Sequence, residues 1–344
     1  MTIAVETIGD DDVASWDHFV NAHDASTIYH RAGWKRIIES VFGRDTYYLA
    51  ARKEGDIAGV LPLVHLRSPF FGSYLVSTPY VNYGGVLAAD ERVAEALFNE
   101  AVSIGEALNV DHLELRHTKK SFDLPTRTDK ISMVLDFPES QDALLKQLGA
   151  KRRSQIRRPA KEGATCISGG IELLDDFYFV LCRKYRALGV PVYSKAWFRA
   201  ILETFSNSAR IFVAHLDSQP AAASLVVETR KSVMEVPWAG SLRFADRYGI
   251  NMYLYWQMIE HAMVDGFTAF DFGRCTEGSG THRFKKQWGA EPVQLYWEYW
   301  LPNSDELPML SSSNPRYQTA VRLWQKMPLW MTNTLGPAIV KNLP

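Results

Sequence analysis

The chain lays out one pattern twice. YLAARKEGDIAG (48–59) and FVAHLDSQPAAA (212–223) each read as strand, short turn and second strand. Each is followed by a glycine-containing signature, VNYGGVL at 81–87 and PWAGSL at 237–242. Each half then has a long helix and a short strand, HLELR (112–116) in one and TAFDFG (268–273) in the other. Identity between the halves is low, so the repeat is one of layout. It predicts two like units, each a hairpin-centred mixed or antiparallel sheet with helices against it, an α+β fold. A chain of 344 residues is long enough for two such cores.

Apolar spacing of three and four places helices around Trp16, Phe19 and Val20, and around Trp34, Ile37, Ile38 and Val41. Strands are expected at 46–52, 56–66, 112–116 and 131–137, with a helix over 91–108. A second unit is expected to begin near 138. It has helices at 139–158, 173–188, 195–206 and 249–266, and strands at 210–216, 221–230, 232–240, 268–273 and 292–300. The expected domains are therefore 1–137, 138–300, and a C-terminal helix and tail, 301–344, packing back on the first domain. That tail carries a polar SSSNP run at 311–315, a helix over 316–326 and a Pro-rich end.

Charge narrows the function classes. Lys plus Arg number 38 against 39 for Asp plus Glu, a formal net charge of -1, so no global field draws the protein to DNA or an anionic membrane. Contacts with polyanions must come from a local patch. Three widely spaced cysteines, Cys166, Cys182 and Cys275, form no disulfide framework and no CxxC pair. MTIAVETIGDDD lacks the pattern of a signal peptide, and no apolar run reaches membrane-spanning length. The expected location is cytoplasmic, with peripheral attachment to the inner membrane left open. The nine histidines make no HExxH or zinc spacing, so no metal is expected. GxGxxG, GxxxxGK[ST] and GxSxG are absent.

Three segments carry candidate chemistry. In DFGRCTEGSGTHRFKKQWGAEP (271–292), a strand end runs into a glycine-containing loop with Arg274, Arg283, Lys285 and Lys286. Cations beside a permissive loop suit a phosphate, a carboxylate or a developing oxyanion. A charged surface hairpin anchored by Phe284 and Trp288 is the plainer alternative. In SYLVSTPYVNYGG (73–85), Tyr80, Asn82 and Tyr83 combine rigid aromatics with an amide and suit the lining of an acceptor site, or an ordinary Gly-rich turn. AKRRSQIRRPAKEG (150–163) carries six cations against one acid, Glu162. Arg153 and Arg157 lie one helical turn apart, where like charges repel and an anion relieves them. At least three of Arg152, Arg153, Arg157, Arg158 and Lys161 are expected to be exposed on one positive surface. A solvated helix face explains the run equally.

Together, SYLVSTPYVNYGGVL, the basic helix and DFGRCTEGSGTHRFKKQWG resemble the FemAB-type aminoacyl/acyltransferase family. More narrowly, the chain resembles the FemAB-like proteins associated with exosortase/PEP-CTERM systems. The resemblance runs over about residues 5–300. It implies tandem GNAT-like domains, the first on the acceptor side and the second on the donor and catalytic side. It matches the family's Phe–Lys pair to Phe284 and Lys285, and the acceptor groove to Tyr80, Asn82 and Tyr83. The implied donor is an acyl-CoA-like thioester or an aminoacyl-tRNA, with no tightly bound cofactor. The implied acceptor is a small-molecule or lipid-linked envelope precursor. This chain has no long charged heptad segment of the kind that forms a coiled-coil arm in tRNA-using members.

The expected activity is N-acyl transfer to an amine in envelope or exopolysaccharide biosynthesis. Lys285 is the candidate oxyanion donor, with Phe284 fixing its aim. Arg153, Arg157, Arg274 and Lys286 are candidate donor or anion contacts. The alternatives are aminoacyl-tRNA-dependent transfer to a peptidoglycan-like precursor, and a non-catalytic protein that binds a glycan or peptide.

Overall fold

The computed structural model describes residues 2–69, 71–304, 306–308 and 315–343. The chain divides into two compact units. One comprises 1–131, 293–309 and 342–344, the other 132–292 and 310–341.

The sheet of the first unit runs in the order Ile3–Thr7, Thr46–Lys53, Asp56–Ser68, Gly72–Ser77, His112–His117, Tyr296–Trp300, Thr126–Arg127. Leu87–Ala88 joins it beside Asp56–Ser68. Neighbours are antiparallel except Gly72–Ser77 and His112–His117, which run parallel. Alternation in the second strand builds both faces, because successive side chains point to opposite sides. Leu49 and Ala51 meet Val93, Leu97 and Ala101 of the helix Glu91–Ala107. Tyr48 and Ala50 meet Trp16 and Val20 of the helix Val13–Ala22. Asp90 starts the longer helix by accepting from Val93 N at 3.0 Å.

The sheet of the second unit runs Thr165–Gly169, Ala209–Leu216, Gln219–Arg230, Val233–Ser241, Ala269–Thr276, Lys130–Asp136, Glu291–Gln294. Again the fourth and fifth strands are parallel and the first four are antiparallel. The strand orders match position by position, as the repeated layout predicts.

The provenance of the sixth strand was not legible. In each sheet it comes from the far side of the expected boundary. Lys130–Asp136 precedes 138 yet lies in the second sheet, and Tyr296–Trp300 follows the second unit yet lies in the first. The segment 292–300, read as one strand, divides at Leu295 and serves both sheets. Strand propensity does not name a partner, so this assignment waits for tertiary packing. Three further differences are local. Gly72–Ser77 is a strand inside what reads as a Gly-rich turn. Gly280–Lys286 is a helix, capped by Ser279, where a loop or hairpin was expected. The Pro-rich end is the helix Leu329–Val340, with Pro328 at its N-cap. The expected return of the tail to the first domain gives way to 310–341 clustering with the second unit. Residues 311–314 lie outside the described residues.

Candidate functional site

In the second unit the parallel pair stays together for only three residues. Val233 faces Ala269, Met234 faces Phe270, and Glu235 faces Asp271. Beyond that point Val233–Ser241 keeps pairing with its other neighbour as far as Ser241, while Ala269–Thr276 continues on its own course. The cause lies in the pairing register. The ladder shifts between Leu225↔Trp238 and Val227↔Glu235, leaving one extra residue on the strand that carries Val236 and Pro237. A bulge bends its strand and increases its twist, and Pro237 has no N–H to hold it to the neighbour. The strands therefore part just after two fully buried acids, Glu235 and Asp271. Asp271 is held by the Ser132 hydroxyl at 2.5 Å and by Gly273 N at 2.8 Å.

Lys285 binds the strand that leaves the pair. Ser279 accepts from His282 N at 3.1 Å and starts the short helix Gly280–Lys286. That helix turns Lys285 inward, so that its side chain is buried. Nζ donates to Gly273 O at 2.7 Å and to Arg274 O at 2.8 Å. Gly273 has φ +71°, a conformation that glycine reaches without strain and that aims its carbonyl at the lysine. Burial pulls the Lys285 ammonium below the ordinary lysine range, while Cys275, Asp271 and Glu235 act in the opposite direction. An ammonium has three donors, and the two carbonyls take two of them. Phe284 is half-buried and packs edge-on to Tyr255 at 4.9 Å. Tyr255 also stacks on Phe272 at 5.5 Å, and Phe272 lies 6.2 Å from Trp288. This aromatic cluster seats the helix.

The structure thus gathers Lys285, Phe284 and the backbone of Arg274 at one place. The Arg274 and Lys286 side chains are exposed beside it. On the basic helix, Arg157, Arg158 and Lys161 are exposed at spacings that share a face, and Arg152 and Arg153 are half-buried. Arg158 and Glu162 form a long ion pair there, at 4.0 Å. Arg153 donates to Leu145 O at 2.9 Å, bridging a kink at Gly149. Its role is at least partly structural.

Sequence reading passed over the start of the helix Ile250–Val264. Its N-cap is Gly249, at φ +84°, with no side-chain cap. A Cβ on Gly249 would lie 3.2 Å from Gln155 O, so the basic helix runs against this N-terminus. Open amides at a helix start favour anions. Gly249 just before the apolar run was the available signal.

Tyr80, Asn82 and Tyr83 belong to the first unit, and all three are buried, Tyr83 at 1% exposure. Tyr80, at φ +75°, packs on Phe42 at 4.8 Å, and Tyr83 stacks on Tyr29 at 6.1 Å. These side chains hold their loop and present little surface to an acceptor. The loop is tied to a buried polar network. Gly85 N donates to Arg116 O at 2.9 Å, Val86 N donates to His117 Nε2 at 2.9 Å, and His117 Nδ1 meets Glu298 at 2.7 Å. His30 Nε2 lies 3.0 Å from Gly85 O, and burial lowers its pKa to about 3. Here the first unit's parallel pair also parts, after Val76↔Glu114, and Arg116 occupies the gap. Its guanidinium meets Glu114 at 2.7 Å and Val81 O at 2.6 Å, over the Trp297 ring. Gly85→Ala should cost about 1–3 kcal/mol through overpacking, read as a lower urea midpoint. The added Cβ would sit 2.1 Å from His117 Cδ2 and 2.8 Å from Arg116 O.

Cys275 is buried, and burial raises Cys166 to about 12, which leaves that sulfur a poor nucleophile. Among the described residues, no group of three or more His, Cys, Asp or Glu is placed to hold a metal. No helix among them is long and apolar enough to cross a membrane.

Residues 150–286 match the family model described as an acetyltransferase (GNAT) domain. No curated protein matches the sequence. Among solved structures, FemX is similar at 14% identity and TM-score 0.64, over 86% of this chain and 96% of that one. L-PGS from Bacillus licheniformis is similar at 14% identity and TM-score 0.57, over 94% and 99%. A tandem GNAT protein from the clavulanic acid biosynthesis pathway is similar at 12% identity and TM-score 0.56, over 89% and 100%. The expected tandem GNAT-like architecture is borne out, and the resemblance to the FemAB type holds at the level of the fold.

Proposed function

We propose that this chain, an acyltransferase or aminoacyltransferase with a FemAB-like fold, moves an acyl group from a thioester donor to an amine in envelope or exopolysaccharide biosynthesis. The observation that carries the reading is the parting of the second unit's parallel strands, with Lys285 Nζ at its edge. Parted strands expose peptide groups along an extended slot, which suits a donor arm built of amide units. The uncapped helix start at Gly249, with Arg157 near it on the basic helix, suits that donor's phosphates.

Chemistry then needs no protein nucleophile. The acceptor amine attacks the acyl carbon, a tetrahedral oxyanion forms, and its collapse breaks the C–S bond and expels the donor thiolate, which takes up the proton lost by the new amide nitrogen and leaves as the thiol. Lys285 offers its remaining N–H to the oxyanion, where one well-placed donor is worth about 3–4 kcal/mol. Holding the two reactants together contributes about 7–11 kcal/mol more. Arg274 and Lys286 contact anionic parts of the donor. Tyr80, Asn82 and Tyr83 shape the acceptor side through their backbone loop.

A second reading is favoured by the exposed Arg157, Arg158 and Lys161, which suit a larger polyanion. In it the donor is an aminoacyl-tRNA and the acceptor a peptidoglycan-like precursor. The link to exosortase/PEP-CTERM systems belongs with the first reading. Incubating the purified chain with an acyl-CoA panel and with charged tRNA, in the presence of amine acceptors, separates the two by which donor is consumed. Consumption of neither, across acceptors, leaves the binding-protein alternative. Arg157→Gln with Arg158→Gln should raise donor KM about fivefold or more at low salt and less at high salt.

A further inference from the structure

The helix Leu329–Val340 reads LWMTNTLGPAIV and contains no charged residue. Its inner side is committed. Thr332, Gly336 and Val340 are buried, and a Cβ on Gly336 would lie 2.9 Å from Val192 O. Its outer side is just as apolar. Trp330, Thr334, Leu335 and Ala338 face solvent, and Trp330 is 69% exposed. A helix that is apolar all round is normally covered on every side. The preceding helix, Pro315–Lys326, adds Leu323 at 61% exposure. Leu188 and Val190 continue the exposed apolar surface, and Gly189 between them would place a Cβ 2.4 Å from Val321 Cγ1. All of these residues lie in the second unit.

The charges of the two C-terminal helices have one sign. After Glu306 the sequence has Arg316, Arg322, Lys326 and Lys341 and no Asp or Glu. The neighbouring helix Leu174–Leu188 adds Arg183, Lys184 and Arg186 after Asp175 and Asp176 at its start, where Asp175 pairs with Lys195. Arg322 and Lys326 are exposed. Arg186 donates to Met327 O at 3.2 Å, which places it at the turn between the two C-terminal helices.

We propose that this C-terminal pair of helices docks the protein on an anionic lipid surface, with Trp330, Leu335 and Leu323 entering the interface and Arg322 and Lys326 meeting headgroup phosphates. Exposed Trp and Leu beside cations, on two helices that carry no acid, is the composition of an in-plane interfacial element. A second copy of the chain is the weaker fit, because symmetric pairing sets one cationic rim against another. The inference is independent of the transferase reading, since it uses no residue of the slot.

The test is sedimentation of the full chain with vesicles of phosphatidylcholine alone and with one-quarter phosphatidylglycerol. Binding is expected on the anionic vesicles only, falling as salt rises. Trp330→Ser with Leu335→Ser should lower partitioning at least tenfold, as should Arg322→Gln with Lys326→Gln. All four side chains are exposed, so circular dichroism and urea midpoints should match the parent. Absence of binding to anionic vesicles, or binding unchanged in both variants, overturns the proposal. So does a parent dimer in light scattering that Trp330→Ser with Leu335→Ser converts to monomer without any loss of vesicle binding.

Discussion

Lys285→Ala should lower kcat about 100-fold or more, with kcat/KM falling in step, because the interaction removed is made mainly in the transition state. The same substitution should cost stability. A lysine on a charged surface hairpin, the plainer reading of this segment, would be dispensable to the fold. The structure corrects it, because the side chain is buried and its ammonium serves the carbonyls of Gly273 and Arg274. Leaving the buried Gly273 carbonyl and the part-buried Arg274 carbonyl without this partner should cost about 1–4 kcal/mol, read as a lower urea midpoint. Turnover must therefore be normalised to folded protein. Lys285→Arg should rescue poorly, since a planar fork cannot occupy the point of an ammonium. Lys286→Ala is the comparison, because that neighbour is exposed and assigned to donor binding, so it should keep stability and kcat while raising donor KM. Full turnover by folded Lys285→Ala, or equal loss in both alanine variants, removes Lys285 from the reaction.

A pH dependence accompanies this. The folded pKa of Lys285 lies below its ordinary value of 10.5. Between the two, the unfolded chain holds more protons at this site than the native one, so its contribution to stability rises with pH across that window. Subtracting the pH profile of Lys285→Met from that of the parent isolates the slope. A flat difference across that window contradicts a depressed lysine.

Arg116→Met should cost the first unit about 3–5 kcal/mol in denaturant unfolding, because it strands a buried carboxylate. Burial by itself would raise the Glu114 pKa, but Arg116 and the Tyr299 hydroxyl, which donates at 2.7 Å, hold it below the ordinary range. Glu114 therefore contributes stability above its unfolded pKa and loses it as pH falls through the folded pKa. Adding Glu114→Gln to Arg116→Met should recover part of the loss, since no charge is then left unpaired. A double variant less stable than Arg116→Met alone rules out stranding as the cause.

The repeat of layout, read from paired hairpins and glycine signatures, was enough to determine two like sheets. Alternating and three-to-four spaced apolar residues report local geometry directly, so Thr46–Lys53, Glu91–Ala107 and Ile250–Val264 were legible. The cationic segment at 274–286 was legible as a candidate site because permissive glycines let backbone approach a ligand and cations suit an anion. Tertiary structure decided three things. It sent Lys130–Asp136 and Tyr296–Trp300 to opposite sheets, because a strand's propensity is the same whichever edge receives it. It buried Lys285, because the carbonyls that receive its ammonium lie past the point where the two strands part, beside a bulge at Val236–Pro237. And it buried Tyr80, Asn82 and Tyr83, because aromatic side chains serve a core as readily as a groove, and only packing partners such as Phe42 and Tyr29 distinguish the two.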